Sequence, residues 1–441
     1  MSGKRLDAID TALVVLYLLG LYLGVSLQIT SKIPLTCAPS GVAGLIMLWR
    51  KRDRIQPGHL SALMVVMTIY LGSTLFAADF SFLGKRFTGL LQLVYSLVIA
   101  YAMFMTLIDS ERDQIATILL VFCLTVIVGC LLETYGGLRQ ISDKVREHLY
   151  DAGVVYDGDR RDEILYGRIR PKLFTSEPSA VTFAYTHFAS VWLIVSRWRY
   201  KLAAYTGLVG LALFVLPGPT LVLMMLLVVP YLVFLSGVQP GRSQAKRMIG
   251  AAALSSIVVL VAFVLGTTFF AARIAQMQHG DDASFFYRFT GPMLVAFDMF
   301  RHHPWAGSGL TGEPYIADRV LDVYMNSGSF SSAWRIPKVG DVLTNYFWLH
   351  WIYLGLVWGV ATLVGLSWWL RKLGTPSILF CWITWIVLGQ ASGSYVGPKT
   401  WAVLLIAAAA SILHVRDTRT TTESRVVRQP LFQPRWRRAL S

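Results

Sequence analysis

Three groups of residues in this sequence have the types and spacing to bind an anionic group and to move a proton. The first is Arg168-Ile169-Arg170-Pro171-Lys172. Pro171 biases Arg170 towards an extended conformation, and alternate side chains of an extended chain share a face. Arg168, Arg170 and Lys172 are therefore expected to form a row of three cations, suited to a pyrophosphate because guanidinium groups grip phosphate oxygens bidentately. A basic stripe lying against lipid headgroups is the plainer alternative.

The second group is Ser176-Glu177-Pro178-Ser179, which opens the apolar run ending near Ser196. It reads as a helix start, with Ser176 capping, Glu177 complementing the dipole and Pro178 in the first turn. Beyond that, Glu177 would be an interfacial carboxylate facing the cation row, able to accept a proton from a sugar hydroxyl. His187, further along the run, reads as a satisfied core histidine.

The third group is Tyr287-Arg288, then Arg301-His302-His303-Pro304-Trp305-Ala306-Gly307-Ser308-Gly309. Gly307 and Gly309 permit a tight turn near a ligand, although no dinucleotide-binding context surrounds them. A loop with Trp334, Arg335 and Lys338 follows, then Thr344-Asn345-Tyr346 at the head of a long apolar run. Arg273 and Arg301 are further basic residues of this stretch that could meet phosphate or glycan. Asp281 and Asp282 are adjacent rather than spaced for one face, and no metal or cofactor is expected.

The elements that must hold these groups are membrane helices. Of 441 residues, 55% are hydrophobic and 15% charged, and the mean hydropathy is +0.55. Soluble domains carry about 25% charged residues, so a soluble globular protein is excluded. The apolar residues come in runs of roughly 17 to 24, the length that crosses a bilayer as helix. A β-barrel would instead alternate apolar and polar positions. The expected fold is an all-α polytopic membrane protein with spans at 11–29, 33–49, 59–80, 88–108, 115–135, 179–196, 202–216, 220–236, 248–270, 343–370, 377–394 and 400–414. Pro217-Gly218-Pro219 is expected to be a tight turn between two spans. Residues 1–414 form one transmembrane domain in this reading, with long outer segments 136–178 and 271–342 and a basic tail, 415–441. The first apolar run lacks a small-residue cleavage site, so no cleavable leader is expected. The four cysteines all fall in apolar runs and read as core residues.

With the N-terminus cytoplasmic, 22 of the 40 lysines and arginines fall on the inner side and four in short outer connections. This asymmetry puts both ends in the cytoplasm. The other 14, offset by 15 acidic residues, lie in the two long outer segments. The net charge of +15 suits anionic membrane lipids rather than nucleic acid. Few charges fall within spans and no internal repeat is evident, which disfavours a transporter.

Arg288, then His303-Pro304-Trp305-Ala306-Gly307-Ser308-Gly309, Thr344-Asn345 and Leu354-Gly355 resembles the motif pattern of the O-antigen ligase/polymerase superfamily of bacterial membrane glycosyltransferases. The motifs cover about 288–356, and the topology most of the chain. The sequence departs from the pattern in two places: Thr344 stands where the ligases have a histidine before the asparagine, and Leu216-Pro217-Gly218-Pro219 lacks an arginine expected in mid-chain. Ser176-Glu177-Pro178-Ser179 after a basic run is similar to the polymerase branch. The resemblance implies a GT-C-like protein of the bacterial inner membrane, active on the periplasmic face without a metal. Its donor would be an undecaprenyl-pyrophosphate-linked oligosaccharide and its acceptor another lipid-linked repeat unit. Glu177, Arg288 and His303 would be catalytic. Arg168, Arg170, Lys172, Arg273, Arg301, His302, Gly307, Gly309, Arg335, Lys338 and Asn345 would bind pyrophosphate or glycan. An O-antigen ligase acting on lipid A-core, and a flippase or transporter of lipid-linked sugars, are the alternatives; a chain-length regulator is a partner the sequence leaves open.

Overall fold

The computed structural model describes residues 3–30, 33–77, 82–151, 153, 155–236, 244–278, 282–328, 330 and 339–427. Of these, 77% are helical, and the strands among them are a short antiparallel pair, β1 (Leu27–Thr30) and β2 (Ile33–Leu35). The chain is an all-α, multi-pass membrane protein.

The first half holds α1 (Ala8–Leu23), α2 (Ala38–Arg50), α3 (Pro57–Leu75), α4 (Leu83–Asp109) and α5 (Arg112–Tyr135). Two short helices follow, α6 (Arg139–Leu149) and α7 (Asp159–Tyr166), then α8 (Pro178–Val195) and α9 (Lys201–Val215). Helix α10 (Thr220–Leu226) runs through α11 (Val228–Pro230) into a π turn, Tyr231–Leu235. The second half holds α12 (Gln244–Phe269), α13 (Ala271–Gln278), α14 (Ala283–Phe285), a second π turn at Phe286–Thr290, and α15 (Gly291–His302). It closes with α16 (Ala317–Met325), α17 (Val339–Val342), α18 (Tyr346–Lys372), α19 (Ile378–Gly389) and α20 (Pro398–Val427).

Among the described residues, seven helices are long and apolar enough to cross a bilayer: Pro57–Leu75, Leu83–Asp109, Arg112–Tyr135, Pro178–Val195, Met248–Phe269, Tyr346–Lys372 and Pro398–Arg416. Shorter apolar helices overlap the expected spans at 11–29, 202–216, 220–236 and 377–394, and α2 overlaps that at 33–49, while β1 and β2 take up the facing ends of the first two. Pro217-Gly218-Pro219 is the turn between α9 and α10, as its sequence suggests. Burial ranks the helices: α8 and α20 are the centre of the bundle, 89% and 83% buried over their apolar windows, whereas α12 is 11% buried and lies at the periphery. Pro57, Pro178 and Pro398 each open a helix, where a missing N–H costs nothing.

Basic segments meet at one end of the bundle. Arg50 and Lys51 pair with Asp10. Arg112 and Lys201 donate to the carbonyl of Ser196, which ends α8, and Arg416 donates to the carbonyls of Ile108 and Ser110. Cations at helix C-termini satisfy orphan carbonyls and complement the dipole.

Three elements differ from expectation. The segment 136–178, read in the sequence only as a long connection between spans, folds into α6, α7 and a loop tied to α5 by Glu133. Helix α20 continues through 415–427, where a tail was expected. The span at 343–370 is two helical arms, because Gly355 has φ +65° and ψ −168° inside α18. The His350 Nε2 atom lies 3.2 Å from the Gly359 carbonyl oxygen, although nine residues span about 13 Å in a straight helix. The chain therefore bends at Gly355.

Candidate functional site

The opening of α8 is held by a loop with little freedom. Leu173 and Phe174 both have positive φ (32° and 63°), unfavourable for residues with a Cβ, and their neighbours fix them there. Glu133 accepts from the Lys172 and Leu173 N–H groups, and the Tyr22 hydroxyl donates to the Leu173 carbonyl at 2.8 Å. The buried Arg146 guanidinium donates to the carbonyls of Thr175 (2.7 Å) and Ser176 (3.0 Å). Ser176 therefore presents its carbonyl and does not cap α8. Glu177 is the N-cap residue, with no side-chain cap bond, and its carboxylate instead accepts from the Ser179 hydroxyl.

This loop delivers Glu177 to Arg288. The Arg288 guanidinium lies 3.6 Å from the Glu177 carboxylate and donates to the Ser179 hydroxyl at 3.2 Å. Arg288 sits in the second π turn, which is fixed from behind: Thr344 donates to the Tyr287 carbonyl through its N–H (3.3 Å) and its hydroxyl (3.1 Å). Asn345 donates through Nδ2 to the Arg288 carbonyl (2.7 Å) and to Gln390 (2.9 Å). Its Oδ1 accepts from the N–H groups of Phe347 and Trp348, capping α18.

Glu177, Ser179, Tyr287, Arg288 and Thr344 line a polar cavity of about 430 Å³ together with Tyr156, Arg161, Ser392, Gly393 and Lys399. An adjoining cavity of about 460 Å³ is mainly apolar, lined by Val222, Leu226, Val259, Phe263, Phe270 and Phe289 among others. Ser284, Arg288 and Ala391 line both. Arg288 thus stands where a polar chamber meets an apolar groove.

The expected cation row does not form. Arg170 pairs at 2.8 Å with Asp162, whose side chain is fully buried, and Lys172 pairs at 2.8 Å with Asp159 and is itself buried. Arg168 donates to the Tyr135 hydroxyl and lies over Phe214. Carboxylates of α7 take up the charges of Arg170 and Lys172, so Glu177 faces Arg288 rather than a row. Arg273 is tied to buried Asp282 at 2.7 Å and to Tyr166; Arg161 takes the other Asp282 oxygen.

The His303 to Gly309 turn also lies elsewhere, since α15 carries the chain about 18 Å from the π turn. Gly307 (φ +55°) and Gly309 (φ +77°) pack against protein rather than against the polar cavity. The Ser308 and Gly309 N–H groups donate to the carbonyls of Ile352 and Tyr353, and the Leu356 N–H donates to the Pro304 carbonyl. The turn therefore caps both arms of α18 at the Gly355 elbow. Arg86, fully buried, holds it with a 3.0 Å bond to the Ser308 carbonyl. His303 is half-buried, its ring near Tyr315; Arg301 and His302 are exposed, with His302 Nδ1 3.1 Å from Asp298. His187 is buried as expected, but its Nε2 has no hydrogen-bond partner among the described residues. Arg335 and Lys338 lie outside the described residues.

Arg161 and Lys399 were not singled out in the sequence. Arg161 follows Arg160 among the aspartates of α7 and Lys399 stands alone between two apolar runs, and only the fold brings α7 and the start of α20 to one cavity. No family model matches the chain, and no curated protein matches it.

Proposed function

We propose that this protein is a bacterial inner-membrane polysaccharide polymerase. It transfers a glycan from undecaprenyl pyrophosphate to another lipid-linked repeat unit at the periplasmic face. In this reading the fold is GT-C-like with twelve spans, both termini are cytoplasmic, and the polar cavity opens to the periplasm. The observation that carries the proposal is the place of Arg288 at the seam between a polar and an apolar cavity, 3.6 Å from Glu177. A polyprenyl diphosphate glycan has the same division: sugar and phosphate on one side of a seam, hydrocarbon on the other. Arg288 would meet the charge that grows on the departing diphosphate, which fixed cations can stabilise without a metal. Glu177 would accept or orient the proton of the acceptor hydroxyl.

Thr344 favours polymerase over ligase. It stands where the ligase pattern has a histidine, a threonine hydroxyl is a poor base, and here both its donors go to the Tyr287 carbonyl. The test is to incubate purified protein with a lipid-linked repeat unit. A ladder of products supports the polymerase; a single shift requiring lipid A-core assigns the ligase; no product in either case leaves transport. Arg288→Ala should abolish the ladder, and Arg288→Lys should restore little of it, because an ammonium lacks the bidentate fork. A ladder of normal rate in the alanine variant would remove Arg288 from the mechanism.

A further inference from the structure

The polar cavity holds three cations and one carboxylate among its lining side chains. Two of the cations are already partnered: Arg161 with Asp282 at 2.7 Å, and Arg288 with Glu177 at 3.6 Å. Lys399 is the third. It is half-buried in the first turn of α20, and no hydrogen bond or ion pair holds its ammonium among the described residues. Room for it comes from Gly24, where a Cβ would stand 2.9 Å from Nζ. A charge partly withdrawn from water without a counter-ion is costly. Lys399 lines the polar cavity with its ammonium resting against Gly24, free of any ion pair among the described residues, so a short swing of a flexible side chain would offer it to an anion, and the N-terminal end of a long helix adds to the attraction.

We propose that Lys399 is the second diphosphate-binding residue of this cavity, taking one phosphoryl group while Arg288 takes the other. This rests on the reading of the cavity as the site of a lipid-linked diphosphate donor. It adds that the site selects a diphosphate over a monophosphate, because two cations on separate elements meet two phosphoryl groups, each carrying one negative charge.

The test is equilibrium binding of farnesyl diphosphate, farnesyl monophosphate and inorganic pyrophosphate to the purified full-length protein in nanodiscs. The wild type should prefer farnesyl diphosphate over the monophosphate by about tenfold or more, the value of one charge-assisted contact. Lys399→Gln should bring that ratio close to one while leaving monophosphate affinity within about twofold, which also shows that the variant is folded. Lys399→Arg should keep most of the preference. A preference that survives in Lys399→Gln overturns the role of Lys399 and leaves the donor reading intact. A wild type that binds none of the three, or does not discriminate, overturns the role of Lys399; no binding at all overturns the donor reading with it. Inorganic pyrophosphate binding more weakly than farnesyl diphosphate supports a lipid-linked ligand, and equal binding overturns it in favour of a free diphosphate.

Discussion

The side-chain amide of Asn345 donates to the main-chain carbonyl of Arg288 at 2.7 Å, while the same side chain caps α18. One residue thus fixes both the start of α18 and the π turn that carries the cavity's central cation. Asn345→Asp keeps the capping acceptor and loses the donor, setting a carboxylate oxygen against two acceptors. It should lower product formation about tenfold or more and cost about 1–2 kcal/mol of stability. Asn345→Ala loses the cap as well and should melt lower still. Transfer rate and melting temperature, measured together, check both.

Glu177→Gln should slow transfer by about 100- to 10,000-fold, the usual worth of a general base, with farnesyl diphosphate affinity within about twofold of wild type. Single-turnover rates and binding curves separate the two effects. A wild-type rate in this variant would leave Glu177 as a helix-start residue and the diphosphate leaving group as sufficient.

His303 tests the opposite assignment, that the base lies in the His-His-Pro turn. With α15 between it and Arg288, His303→Gln should leave the transfer rate unchanged. Its signature should be in stability instead. Burial, helped by Arg319 and His302 and opposed by Asp298, holds its pKa below the ordinary 6.5. A histidine with a lowered folded value binds its proton more readily when unfolded, so its contribution to stability is present above 6.5 and lost as pH falls through the folded value. The melting temperature should fall more between pH 7 and pH 5 in wild type than in His303→Gln, a window set by that 6.5 reference.

Arg170→Glu should act on the fold and only through it on the ligand. Breaking a buried pair by reversing one partner costs about 3–5 kcal/mol, and Asp162 has no exposed side-chain surface. The variant should express poorly, and the swap Arg170→Asp with Asp162→Arg should recover part of the loss. A fully stable Arg170→Glu protein with weakened donor binding would restore Arg170 to the ligand site.

Gly307→Ala should lower the yield of folded protein. Its φ is +55°, and a Cβ would lie 2.5 Å from the Ile352 carbonyl oxygen and 2.6 Å from the Gly355 nitrogen. Trp305→Ala, at a side chain 72% exposed in the same turn, should be close to neutral. Yield and elution profile in detergent distinguish the two.

The spans were legible because a bilayer imposes length and apolarity locally, as in α4, α5 and α8. Glu177 and Arg288 were also legible, as a carboxylate opening a helix and an arginine ahead of a glycine turn. Their 3.6 Å approach was not, since it depends on contacts more than 100 residues apart in sequence. The misreadings share that cause. Nothing local to Arg170 and Lys172 says that the aspartates of α7 fold back onto them, and Gly307 and Gly309 carry the same signal whether a turn approaches a ligand or a helix elbow. Lys399 went unnoticed because an isolated lysine in a short connection has no periodicity or motif to mark it.

The elbow at Gly355 also restricts how this region can vary in length. Three main-chain bonds run between 304–309 and 352–356, joining Pro304 to Leu356, Ser308 to Ile352 and Gly309 to Tyr353. A residue inserted or deleted between 304 and 309 would put these groups out of register and strand the carbonyls of one helical arm and an N–H of the other. The same change between 317 and 325 would leave the three bonds untouched but would turn Tyr324, fully buried against Phe286 and Tyr287, out of its place. Length is therefore fixed twice between 304 and 325, by main-chain bonds over the turn and by the seating of one buried tyrosine in α16.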